Sequence, residues 1–130
     1  MIVLDASAAI EWLLQTQAGR EIEKRIYSRN ESLHAPHLLD LEVVQVLRRM
    51  AREGTIPEPR VEEAVGDLLD LRITRYPHFL FVPWIWHHRN NFSAYDACYV
   101  ALAEKTGATL ITRDRRLAAA GGHSAEIEVF

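Results

Sequence analysis

The stretch YDACYVALAEKTGATLITRD, Tyr95 to Asp114, decides the fold. Asn90, Asn91 and Ser93 are cap-type residues just ahead of it, so a helix is expected from Ala94 to Lys105. Gly107 ends that helix where a left-handed residue is favoured. Ala108 to Thr112 (ATLIT) is a short apolar run, the pattern of a strand buried on both faces of a parallel sheet. Asp114 lies just past its end. Helix, glycine, buried strand and acid in this order belong to chains that alternate strands with crossover helices.

The rest of the chain repeats the theme. Met1 to Leu4 is an apolar strand that runs straight into Asp5, and Ser7 opens a helical pattern with Ala8, Ala9, Ile10, Trp12 and Leu13. Ala18 to Arg29 fits an amphipathic helix, with Ile22 and Ile26 on one face. Leu33 to Ala35 reads as a short strand closed by Pro36. His37 to Arg52 is a helix with the stripe Leu39, Val43, Val46 and Met50, capped by Gly54. A further helix is expected from Pro59 to Arg72, a strand at Phe79 to Val82, and a turn or short helix from Pro83 to His88. Asp114 to Ala120 is a short helix broken by Gly121 and Gly122, and Ile127 to Phe130 a last strand. The expected architecture is α/β, one domain over residues 1–130, with a mostly parallel central sheet of four to five strands flanked by helices.

Composition agrees with a globular chain. Of 130 residues 48% are hydrophobic, enough for a core, and 25% are charged. The net charge of −3 argues against coating nucleic acid by bulk charge. The single cysteine, Cys98, reads as a small core hydrophobe, and no intrachain disulfide can form. The N-terminal run has no basic lead and contains Asp5 and Glu11, so it does not read as a signal peptide. Phe79 to Trp86 is too short to span a bilayer. A cytoplasmic protein with no membrane contact is the expectation.

Four acids stand out. Ligands of open parallel sheets bind beyond the carboxyl ends of the strands. Asp5 and Asp114 sit at two such ends, Asp96 in the first turn of a helix, and Glu42 early in the helix after Pro36. Helix capping alone selects acids in first turns, so Asp96 and Asp114 each have a second reading. Asp5 lies between an apolar strand and an apolar helix, where an unpaired charge is costly. Glu42 sits between Leu41 and Val43, which points to partial burial. Four converging carboxylates repel one another unless a cation joins them. An all-oxygen set suits Mg2+ or Mn2+ and phosphoryl chemistry. Setting those four aside leaves 14 acidic against 15 basic residues, so the remaining surface can carry basic patches.

These residues resemble a known family. LDAS (Leu4 to Ser7), PHLLDLE (Pro36 to Glu42), YDACYVALAE (Tyr95 to Glu104) and LITRD (Leu110 to Asp114) resemble the PIN domain, and more narrowly the VapC toxins of toxin–antitoxin pairs. The resemblance runs from Met1 to about Leu117. It implies a PIN-like nuclease domain and a Mg2+- or Mn2+-dependent endoribonuclease. In it Asp5 and Asp96 would ligate metal directly, and Glu42 and Asp114 directly or through water. Ser7 and Thr112 would support the site by hydrogen bonds. It further implies RNA hydrolysis by a metal-activated water, with 5′-phosphate and 3′-hydroxyl products. A homodimer and a cognate antitoxin that occludes the site are also implied. The alternative is a PIN nuclease with a non-toxin role in RNA processing.

Other classes fit less well. A phosphoacceptor receiver needs an aspartate at a mid-chain strand end, and FLFVPW has none. An aspartyl phosphatase needs a second Asp two residues after the first, and position 7 is Ser. No histidine pair has zinc-ligand spacing. Trp84 and Trp86 read as core or dimer-interface packing, with base stacking as the other reading. Arg113 and Arg115 flank Asp114 and could contact phosphate or an acidic antitoxin segment. Arg48, Arg49 and Arg52 read as a solvated helix face.

Overall fold

The computed structural model describes all 130 residues. Five strands form one parallel sheet in the order β3-β2-β1-β4-β5. They are β1 (Ile2–Leu4), β2 (Leu33–Pro36), β3 (Ile73–Tyr76), β4 (Thr109–Thr112) and β5 (Ile127–Val129). β1 lies at the centre, with Val3 beside His34 on one side and Leu110 on the other. The chain builds outward from β1 through β2 to β3, then returns to lay β4 on the other side of β1. The switch point therefore falls between β1 and β4, the place where such sheets hold ligands.

The helices are α1 (Ala6–Leu13), α2 (Gln17–Ser28), α3 (Leu38–Glu53), α4 (Glu58–Asp70), α5 (Val82–His87), α6 (Ala94–Thr106) and α7 (Arg115–Ala119). α6 is the central one: Ala97 through Ala103 are all buried, so it has no solvent stripe over that run. α2 crosses close to α1 at Gly19, where an added Cβ would meet the carbonyl oxygen of Glu11 at 1.9 Å. Gly107 ends α6 at φ 70°, in the left-handed region, and releases the chain into β4. No helix is long and apolar enough to cross a membrane.

Two sequence expectations need correction. The third strand is Ile73–Tyr76, and the expected strand Phe79–Val82 is instead a 3-10 turn over His78–Phe81 leading into α5. The preceding helix stops at Asp70, short of the expected Arg72. β3 is an edge strand on which only Ile73 is buried, so it lacks the apolar run of a central strand. Its Arg75 makes a two-point ion pair with Asp40 of α3, at 2.7 and 2.9 Å. Phe79 to Val82 is apolar but buries only Phe81. In α3 the fully buried line is Leu39, Val43 and Leu47, while Val46 and Met50 are only partly covered.

Candidate active site

Asp5 follows β1 and occupies the N-cap position of α1, yet its side chain makes no capping bond. Two hydroxyls claim it instead. Thr112 Oγ1 donates to Asp5 Oδ2 at 2.6 Å and Ser7 Oγ donates to the same oxygen at 2.8 Å. The same hydroxyls accept backbone N–H groups from the turn after β4: Asp114 N to Thr112 Oγ1 and Arg113 N to Ser7 Oγ, both 3.0 Å. Two strand ends are thus stitched together at the switch point, and both hydroxyls are fixed as donors toward Asp5. Burial pushes the Asp5 carboxyl up; the bonds from Thr112 and Ser7 pull it partly back, and the negative charge of Asp96 pushes it up again.

Glu42 lies in the second turn of α3, half-buried. Its Oε1 accepts a 2.7 Å hydrogen bond from the phenol of Tyr99 on α6. Burial raises the Glu42 carboxyl most, Tyr99 lowers it, and the charges of Asp5 and Asp96 raise it. Tyr99 is only 1% exposed, and its own pKa is raised by burial and then by Glu42, so it stays a neutral donor. The sequence reading missed Tyr99. The available signal was a phenol in a helix with no solvent face, where the hydroxyl must find a partner.

Asp96 and Asp114 separate on the capping question. Ser93 caps α6, accepting from Asp96 N at 3.1 Å, and the Asp96 carboxylate makes no hydrogen bond within the chain. Asp114 does cap: it accepts from Arg116 N at 2.9 Å. All four acids nevertheless line one cleft of about 560 Å³, with Ser7 and Gln45 beside them and Ile10, Leu41 and Tyr95 on its apolar side. Thr112 sits beneath the cleft, fully buried. Arg113 lies within 3.9 Å of Glu11 and reaches the Phe130 carbonyl, so it braces the C-terminus. Arg115 is exposed, and none of the chain's ion pairs involves it. Trp84 donates to Glu104 at 2.9 Å and packs against the core; Trp86 is exposed beneath the guanidinium of Arg89.

The donors facing the cleft are all oxygen, a set suited to a hard divalent cation and not to zinc. No three acid, histidine or cysteine side chains close around a point that could hold an ion. An open cleft of oxygen donors fits a cation that keeps several of its waters, as Mg2+ does. Asp5 and Glu42, raised chiefly by burial and further by neighbouring negative charge, are groups whose conflict a cation would relieve.

A parallel sheet with four acids at its switch point defines a class of acidic-site α/β proteins, and comparison with known proteins narrows it. Residues 2–122 match the PIN domain, and the chain belongs to that family. It is similar to Ribonuclease VapC12 of Mycobacterium tuberculosis, 41% identical over 99% of this chain and 98% of that one. It is also similar to Ribonuclease VapC9 of the same organism, 40% identical over 99% of this chain and 98% of that one. Among solved structures it resembles PAE2754 from Pyrobaculum aerophilum, with TM-score 0.72 and 26% identity over 98% of this chain and 83% of that one. Within the PIN-domain family, its likeness is thus to VapC ribonucleases.

Proposed function

We propose that this chain is a divalent-cation-dependent endoribonuclease and the toxin of a toxin–antitoxin pair. One observation carries the chemistry. Asp5 sits in an N-cap position, does not cap, and is held by two hydroxyls where it lines a cleft shared with Glu42, Asp96 and Asp114. Its curated relatives are ribonucleases by name, and they match it along nearly their whole length.

In this reading Asp5 and Asp96 hold Mg2+ or Mn2+ directly, and Glu42 and Asp114 do so directly or through water. The cation supplies a hydrolytic water at neutral pH and charge neutralisation of the phosphate. The protein's part is positional. Ser7 and Thr112 occupy Asp5 Oδ2 and fix the carboxylate plane, leaving Oδ1 for a ligand. Tyr99 fixes Glu42. Asp114 is aimed by its own capping bond. Cleavage in line with the 3′ oxygen leaves 5′-phosphate and 3′-hydroxyl ends. A cognate antitoxin that covers the cleft and a homodimer complete the proposal. The exposed Phe79, Leu80, Val82 and Trp86 offer an apolar face for self-association.

Chelation tests this reading. The purified chain should cut single-stranded RNA in Mg2+ or Mn2+, stop in excess EDTA, and recover when the cation is restored. Full activity in EDTA would overturn the cation-dependent mechanism.

A further inference from the structure

Gln45 is shared by two hollows. One is the acidic cleft. The other, of about 410 Å³, is lined by Gln45, Arg48, Arg49, Arg52 and Glu53, with no apolar side chain. Both open along α3. At 3.6 residues per turn, Gln45, Arg49 and Arg52 fall within about 80° of Glu42 around the helix axis, and Arg48 within about 120°. Arg49 stands about 10 Å, and Arg52 about 15 Å, further along that axis than Glu42. Leu39, Val43 and Leu47 take the other side of α3 into the core.

The three arginines are exposed and uncommitted. The arginine–carboxylate pairs of the chain use Arg25, Arg60, Arg75, Arg113 and Arg116. Glu53 shares the hollow yet pairs with none of the three. Arg48 and Arg52, and Arg49 and Arg52, are like charges at helical neighbour spacing, an arrangement that costs helix stability. A chain of net charge −3 thus concentrates free cations on the same helix as a cleft acid.

Resting on the ribonuclease reading above, we propose that Arg49 and Arg52, with Arg48 at the rim and Gln45 as the link, bind the phosphodiester backbone of single-stranded RNA where it leaves the acidic cleft. An RNA cut internally must continue past the cleft. The guanidinium fork matches phosphate oxygens, and the Gln45 amide can hydrogen-bond phosphate or ribose. A docking peptide would be expected to use apolar anchors, and this hollow has none.

The test compares the full chain with the triple variant Arg48→Gln, Arg49→Gln, Arg52→Gln. Binding of a labelled single-stranded RNA is followed by fluorescence anisotropy in EDTA over a range of salt. The slope of log affinity against log salt should shrink by about 2 in the Gln variant, at about 0.7 per lost phosphate contact. The corresponding triple Lys variant should keep most of the slope. In Mg2+, KM for long RNA should rise about tenfold or more in the Gln variant, while hydrolysis of bis(p-nitrophenyl) phosphate, too small to reach the arginines, stays unchanged. A wild-type chain that cuts RNA, beside a Gln variant with unaltered slope and KM, overturns this inference alone. Loss of antitoxin binding or of dimerisation with RNA binding intact also overturns it, in favour of a protein contact. A wild-type chain that cuts neither substrate overturns the ribonuclease reading.

Discussion

The phenol of Tyr99 donates a 2.7 Å hydrogen bond to Glu42 Oε1 and so ties α6 to α3 beneath the acidic cleft. Tyr99 lies one helical turn after Asp96, so one helix carries an acid of the cleft and the support of another. A hydrogen bond to a charged group contributes about 1.5–3 kcal/mol.

Tyr99→Phe keeps the ring and removes only that donor. RNA cleavage should fall about tenfold, the rate equivalent of about 1.4 kcal/mol, with little change in the circular dichroism spectrum. Activity equal to wild type would show that Glu42 needs no support.

Asp5→Asn should separate activity from stability. Asn keeps an oxygen for Ser7 and Thr112 but removes a charge that burial disfavours. The folded pKa of Asp5 is raised, so the folded state holds the proton more tightly than the unfolded chain. Its charge therefore costs stability as pH rises from the ordinary carboxyl range through the raised folded value, and that cost vanishes at acid pH. In EDTA at neutral pH the variant should melt a few degrees higher than wild type, and the gap should close as pH falls toward 4. A lower melting temperature at neutral pH would contradict this.

Thr112→Val preserves shape at a fully buried position and deletes the hydroxyl that serves Asp5 and the Asp114 N–H. The variant should lose about 1–3 kcal/mol of stability in urea melts. Ser7→Ala converges on the same oxygen, so a double-mutant cycle between the two should be non-additive. Strict additivity would break the proposed unit.

Arg113 and Arg115 should behave differently despite their proximity. Arg113 braces Glu11 and the Phe130 carbonyl, so Arg113→Ala should lower the melting temperature slightly. Arg115→Ala should leave stability alone and reduce the salt slope of RNA binding by about 0.7 if that side chain meets a phosphate.

Much of this arrangement was legible in the sequence because it rests on local signals. ATLIT and IVL are buried runs, one ending two residues before Asp114 and the other running directly into Asp5, and Gly54 and Gly107 do close their helices at positive φ. β3 escaped because an edge strand with one buried residue has no pattern to offer, and Arg75 is held by an acid 35 residues away. Tyr99 escaped for a similar reason: its partner is 57 residues distant, and a buried tyrosine among alanines reads as core. The hydroxyls of Ser7 and Thr112 could be suggested by motif, but their convergence on one oxygen of Asp5 needs the β1–β4 pairing.

The proposed task of the acids in this cleft is to cut RNA. End-mapped cleavage of a single-stranded RNA in Mg2+ by wild type, Asp5→Asn and Asp96→Asn tests it most directly. Wild type should give 5′-phosphate and 3′-hydroxyl products, and cleavage should be lost in both folded variants. Undiminished cleavage by both variants would place the chemistry elsewhere.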